Sequence, residues 1–228
     1  KIIQGDLMDN ISVIIRNKNE ERFIGYCLQS IVDFLGLTPK AREDLQVVLV
    51  DNFSTDESIR IANKFDYLQI DKLEISTNDY TPGRALNLGV NHSTGDLILI
   101  ISAHCEISQF NLDNAIKGLQ NNIAIWGKQI PIWDGKKISR RYLWSNFKDK
   151  SSKNLFCEFE NRYFFHNGFS LFMKDSLVKF PFDEILCGKE DRYWANERIS
   201  ANHSIMYDPS FTVKHHYTVA GATWKGTG

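Results

Sequence analysis

Residues 97–106 read LILIISAHCE, an unbroken apolar run that ends in Ser102, Ala103, His104, Cys105 and Glu106. Consecutive apolar residues predict a strand buried on both faces, as in a central strand covered by helices. The carboxyl end of such a strand is where open α/β sheets bind ligands. A hydroxyl, an imidazole, a thiol and a carboxylate gathered there are therefore candidates for a site, with an ordinary polar turn as the plainer alternative. Arg84 and Asn87 lie one turn apart on a predicted helix, so both can point at one place. An arginine there can bind phosphate or brace a loop. Glu190 and Asp191 open another predicted helix, where their side chains diverge. One carboxylate can then act as a base while the other raises its pKa, or both can simply complement the positive end of the helix.

The elements that carry these groups follow from periodicity. Residues 11–15 (ISVII) and 45–50 (LQVVLV) read as buried strands, and 68–75 as a third. Between them, Phe23, Ile24, Cys27, Leu28, Ile31, Val32 and Leu35 recur at helical spacing up to Gly36 and Pro39. Ser54 or Thr55 is placed to cap a short helix through Ile59, Ala62 and Phe65. Thr81-Pro82 reads as an N-cap followed by proline at the first helical position. The resulting β-α-β-α-β-α-β run predicts an α/β fold with a doubly wound, mostly parallel, Rossmann-like sheet and helices on both faces. Beyond residue 111 the pattern is looser: a helix through Leu112, Ala115, Ile116 and Leu119, strands at 123–130, 169–173 and 204–214, and a helix at 189–200. Residues 131–165, rich in charge and aromatics, read as a mobile or substrate-shaping insertion. Residues 1–10 read as a leader and 218–228 as a flexible Gly/Thr-rich tail.

The bulk numbers narrow the class. The chain has 228 residues, 43% hydrophobic and 24% charged, enough for a sizeable core. A net charge of −1 argues against holding nucleic acid by bulk electrostatics. Cys27, Cys105, Cys157 and Cys187 are scattered without the spacing of a zinc site or disulfide framework, which fits a reducing, cytoplasmic setting. No apolar run approaches the length of a membrane span.

Four segments, in order, resemble the family 2 glycosyltransferases. ISVIIRNKNEERFIGYCLQSI is similar to that family's opening strand, loop and helix, usually VSVIIPxYNE. VVLVDNFSTDES resembles its VDDGSTD loop. GRALNLGVNHSTGDLILI resembles its stretch of spaced Arg, Asn and Gly before the next strand, and Glu190-Asp191 its acidic pair at the start of a late helix. The resemblance covers residue 11 to about 217. It implies a single GT-A catalytic domain over 1–228, with a nucleotide-binding half at 11–107 and an acceptor and catalytic half at 108–217. It implies a nucleotide-sugar donor, a glycan or lipid-linked glycan acceptor, inversion at the anomeric carbon, and work in bacterial O-antigen or capsule synthesis. For lipid-linked acceptors it also implies association with the inner face of the cytoplasmic membrane.

Residue by residue, the resemblance assigns nucleotide contact to Asn19, Glu20 and Asp51, and less firmly Asp56, with Arg84 and Ser102 beside the phosphates. Asp191 is the expected general base and Glu190 its neighbour. Trp126, Lys128, Gln129, His166 and Asn167 sit where donor sugar or acceptor would be lined. The family's DxD motif, which holds Mg²⁺ or Mn²⁺ on the diphosphate, is replaced here by Ser102 and His104. Mg²⁺ prefers oxygen ligands, whereas Mn²⁺ and other transition metals tolerate imidazole. His104 and His216, or His215 beside it, can thus form a nitrogen-rich metal site, or with Lys214 neutralise phosphate charge without a metal. A non-catalytic nucleotide- or sugar-binding domain descended from such an enzyme is the alternative that loss of DxD supports.

Overall fold

The computed structural model describes residues 10–36, 38, 40–41, 44–137, 142–219, 221 and 224. The leader, except Asn10, and most of the tail lie outside them, as does Pro39. The first half is the expected alternation: β1 (Ile11–Asn17), α1 (Ile24–Leu35), β2 (Leu45–Asp51), α2 (Ser58–Ala62), β3 (Gln69–Glu74), α3 (Pro82–His92) and β4 (Leu97–Ser102). β5 (Cys105–Gln109), α4 (Leu112–Leu119), β6 (Ala124–Trp133) and β7 (Lys136–Lys137) follow. Next come a 3-10 turn (Tyr142–Asn146), β8 (Ser152–Lys153), β9 (Phe156–Cys157) and β10 (Arg162–Tyr163). The chain ends with β11 (Phe169–Met173), α5 (Lys174–Lys179), α6 (Glu190–Ser200) and β12 (Ile205–His216).

One mixed sheet organises the molecule, in the order β3-β2-β1-β4-β11-β6-β12-β5. β1 is parallel to both β2 and β4, and β2 to β3. β1, β2 and β4 are apolar on both faces because both faces are covered. The edge strand β3, with its alternating charges, is more exposed. β11 then runs antiparallel between β4 and β6, and β12 lies parallel to β6 and antiparallel to β5. Ile24, Cys27, Leu28 and Ile31 of α1 belong to the apolar core on one face, with Ala115 and Leu119 of α4. On the other, Ala85, Leu86 and Val90 of α3 pack with Trp194 and Ala195 of α6.

Three expectations are corrected. Segment 131–165, read as a mobile or substrate-shaping insertion, is packed rather than loose in its described part. Leu143, Trp144, Phe147, Cys157, Phe164 and Phe165 are buried in the second core, so the segment is held by the apolar area it covers. Neither Ser54 nor Thr55 caps α2. Asp56 accepts the backbone N–H of Ser58 at 3.0 Å, while the Ser54 hydroxyl is engaged with Asp51. In the tail, Trp224 is buried and donates its indole N–H to the His216 carbonyl at 3.0 Å.

Candidate active site

The parallel strands β1, β2 and β4 end together, and their terminal residues build the first part of the site. Asn17 pairs in register with Asp51, and Arg16 with Ser102. Asp51 is buried, and its carboxylate accepts Asn17 Nδ2 at 2.7 Å, the Ser54 hydroxyl at 2.6 Å and the Ser54 N–H at 2.8 Å. Asn19, in the left-handed region at φ 53°, receives the Thr55 N–H on Oδ1 at 2.8 Å. These bonds lock the first and second loops into one rim. Asn17 Oδ1 is buried there without a hydrogen-bond partner, a group that a ligand N–H would satisfy. Asn17 was not singled out in the sequence, where it reads as an ordinary turn residue.

Glu20 is buried too, and its carboxylate faces His104, with Oε1 2.8 Å from Nδ1. His104 Nε2 in turn lies 3.1 Å from His215 Nε2. The neighbour expected from the sequence, His216, turns the other way: it meets Glu106 at 3.2 Å and stacks on Phe23 with centroids 4.8 Å apart. The reason lies in β12. Asp208 pairs with Gly127 and Thr212 with Lys128, so β12 carries three extra residues at that point. Side chains alternate faces along a strand, so an odd insertion exchanges which of two adjacent residues faces inward. Gly127 allows the crowding, since a Cβ there would stand 2.5 Å from the Phe211 carbonyl.

His215 continues the chain of contacts. Its Nδ1 is 2.7 Å from Gln129 Oε1, and Gln129 Nε2 is 2.9 Å from His166 Nδ1. The Gly168 N–H also reaches His166 Nδ1, at 3.2 Å. Burial, helped by the charges of His104 and His166, holds His215 well below its usual pKa. Burial likewise drops His166 to about 4. Both rings are therefore neutral near pH 7. The next residue, Asn167, gives its backbone N–H to Asp191 Oδ2 at 3.1 Å, and the Arg192 N–H reaches Oδ1 at 2.8 Å. Asn167 Nδ2 is buried with no partner, a second unmet polar group in the same neighbourhood. Glu190 faces Arg16 instead, at 3.0 Å. Burial raises its pKa, and Asp191 adds to the rise while Arg16 opposes it.

The remaining candidates have other partners. Trp126 is 1% exposed, packed among Phe147, Phe164, Phe165 and Tyr207. Its large apolar ring is worth more in the core than at a wet strand end. Lys128 pairs with Asp149. Ser102 gives its backbone N–H to the Gly168 carbonyl at 3.2 Å, tying β4 to the segment that holds Asp191. Arg84 is half exposed and bonds the Asp79 carbonyl at 3.0 Å, with Glu184 at 3.5 Å. Asn87 clamps the loop before α6: it accepts the Phe182 N–H at 3.0 Å and donates to the Phe182 carbonyl at 2.8 Å and to Glu184 at 2.9 Å.

Comparison with known proteins is decisive at this point, because the model of glycosyl transferase family 2 matches residues 12–180. The chain belongs to that family. Among relatives, it is 30% identical over 111 residues to poly(ribitol-phosphate) beta-N-acetylglucosaminyltransferase TarS of Staphylococcus aureus. That match covers 47% of this chain and 18% of TarS, so the chain spans under a fifth of the curated relative. The solved S. aureus TarS 1–349 in complex with UDP-GlcNAc superposes with a TM-score of 0.68 at 20% identity, over 93% of this chain and 60% of that one. GalNAc-T7 with UDP, GalNAc and Mn²⁺ gives 0.70 at 15% identity, over 95% and 45%. The family 2 domain therefore has the GT-A fold, as expected. No helix among its described residues is long and apolar enough to cross a membrane.

Proposed function

We propose that this chain is the catalytic domain of an inverting glycosyltransferase. It moves a sugar from a nucleoside-diphosphate sugar to a hydroxyl of a glycan or lipid-linked glycan, in the synthesis of a bacterial surface polymer. The observation that carries the reading is the continuous run of contacts Glu20–His104–His215–Gln129–His166, ending beside Asp191, in a chain of this family. It joins a nitrogen-rich pair at the sheet edge to a carboxylate held by backbone donors.

In the proposed reaction, Asp191 takes the proton of the acceptor hydroxyl as its oxygen forms the new bond to the anomeric carbon. The bond from that carbon to the diphosphate breaks on the opposite face, and the electron pair leaves with the diphosphate. The Asn167 and Arg192 N–H groups hold Asp191 in place, so little reorganisation is needed when the hydroxyl arrives. The buried Nδ2 of Asn167 is a ready donor to a sugar hydroxyl. Asn17, Asn19 and Asp51 form the rim for the nucleoside, and Arg84 and Asn87 act by bracing the loop that leads to α6. A lipid-linked acceptor would place this work at the inner face of a membrane.

With DxD replaced, the side chains around Ser102 and His104 decide which ion could be held there. Among the described residues no three His, Cys, Asp or Glu side chains converge as metal ligands. Yet His104 and His215 present Nε2 atoms 3.1 Å apart, and each far nitrogen is held by an oxygen, of Glu20 or Gln129. That is how outer oxygens orient imidazole ligands. The pair suits Mn²⁺ or another borderline ion, with phosphate oxygens and water as further ligands, better than Mg²⁺. Such an ion would relieve charge on the leaving diphosphate. The same pair can instead share one hydrogen between its facing Nε2 atoms and meet the diphosphate without a metal.

The test is a panel of UDP-, GDP- and dTDP-sugars, scored for binding and for turnover with EDTA, Mn²⁺ and Mg²⁺. Turnover restored by Mn²⁺ after EDTA supports the metal form, and EDTA-insensitive turnover supports the proton form. Tight binding with no turnover toward any acceptor would favour the non-catalytic reading, and no binding at all would sink the proposal.

A further inference from the structure

Gln129 is 1% exposed in β6, in the middle of the site, yet it is neither acid, base nor ligand. Its carboxamide touches two histidines that belong to different ends of the cleft. His215 stands beside His104, where the diphosphate is expected, and His166 precedes the residue that holds Asp191. His166 Nδ1 receives the Gly168 N–H, which has no other role than donor. That nitrogen is therefore an acceptor, and Gln129 must present its NH₂ to it. The carboxamide oxygen then faces His215, so His215 Nδ1 carries the hydrogen and donates to it at 2.7 Å. His166 keeps its hydrogen on Nε2, and His215 has a bare Nε2 aimed at His104. With the Gly168 N–H fixing His166, the unlike ends of one amide pass the opposite tautomer on to His215.

Space enforces this arrangement. A Cβ on Gly168 would stand 2.5 Å from Gln129 Nε2 and 2.8 Å from Oε1, so glycine there is what lets the amide lie between the rings. β6 is a central strand, and the amide's backbone is fixed by ladders to β11 and β12. A carboxylate could still accept from His215 but could not donate to His166. An aliphatic side chain could do neither.

We propose that Gln129 is the positioning residue of this site. It aims the His215 Nε2 lone pair at His104, whether a metal ion or a proton sits between them, and it adds a second donor to His166 Nδ1. The inference rests on reading this cleft as the transfer site, and its first readout is independent of that reading. Imidazole ¹⁵N shifts of the whole chain, with no substrate added, report each tautomer directly. The expected result is an Nε2–H tautomer for His166 and an Nδ1–H tautomer for His215. The reverse tautomer on either ring overturns the proposal, whatever the protein transfers.

Three variants extend the test. Gln129→Glu should keep the His215 tautomer and, with the Gly168 N–H still on His166 Nδ1, leave His166 as the Nε2–H tautomer with one donor fewer. Gln129→Leu should leave His215 as a mixture of tautomers while the Gly168 N–H keeps His166 as Nε2–H, and Gly168→Ala should release His215 in the same way by displacing the amide. Mn²⁺ affinity, followed by paramagnetic broadening, and turnover of the donor selected by the panel should fall roughly 10- to 100-fold in Gln129→Leu. In that variant UDP affinity should hold nearly constant. If Gln129→Leu does not fold, Gln129→Glu carries the comparison, since it preserves size and one of the two bonds. Scrambled tautomers with unchanged turnover in an active enzyme would overturn the positioning role. A wild type that transfers nothing but shows the expected tautomers would sink the transferase reading and leave the tautomer assignment standing.

Discussion

Glu190 and Asp191 are adjacent carboxylates with different partners: Arg16 takes one, and two backbone N–H groups take the other. The difference separates their roles. Asp191→Asn keeps the shape of the side chain but cannot accept a proton. Transfer should fall by about 10²- to 10⁴-fold while the affinity for the donor's nucleoside diphosphate, read by calorimetry, stays close to wild type. Full transfer in that variant would remove Asp191 as the base. Glu190→Gln should instead show up as lost stability. It leaves the Arg16 guanidinium, with its side chain 23% exposed, without its counter-charge. Breaking such a pair costs on the order of 3 kcal/mol, measurable as a lower urea midpoint. An unchanged midpoint would mean that the pair contributes nothing net.

At the scale of elements, α3 serves the site from a distance. Its motif, Arg84 and Asn87, reads in sequence as pointing toward a phosphate. In the structure both side chains hold the loop that precedes α6. The helix packs against that loop so tightly that a Cβ on Gly83 would stand 2.1 Å from the Asp183 carbonyl. Asn87→Ala strands the buried N–H and C=O of Phe182, which should cost about 2 kcal/mol. Because that loop sets where α6 begins, transfer should drop more than nucleotide affinity does. A variant that loses both equally would point to a direct role for Asn87 in nucleotide binding. β12 is the other element with a hidden job, since its three extra residues decide that His215 and not His216 meets His104.

For the whole molecule, the buried histidines couple folding to pH. His166 titrates at about 4 when folded and His215 lower than normal, against about 6.5 for an exposed histidine. The unfolded chain therefore binds more protons between those values, so stability rises with pH there. The contribution is complete above about pH 6.5 and is lost as pH falls toward 4. At about 1.4 kcal/mol per unit, His166 alone accounts for roughly 3 kcal/mol. Urea midpoints should fall from pH 7 to pH 4.5, and His166→Asn should flatten that fall relative to wild type. Parallel curves for the two proteins would show that His166 is not held neutral.

The chain's own sequence determined the doubly wound half, the strand ends that form the rim, and the acidic pair that opens α6. These are local signals: apolar runs, helical spacing, and polar residues at their termini, all of which survive without knowledge of neighbours. The tertiary structure alone decided which polar residues converge. Trp126 and Lys128 were candidates by position, and the structure shows the first buried among aromatics and the second paired with Asp149. The contacts of Asn17 with Asp51, and of Gln129 with His166 and His215, appear only when residues far along the chain reach them. His215 displaced His216 because side chains alternate along a strand, and an irregularity in pairing reverses that alternation without leaving a mark in composition. Strand ends are written in the local pattern, whereas the contact between two rings depends on register.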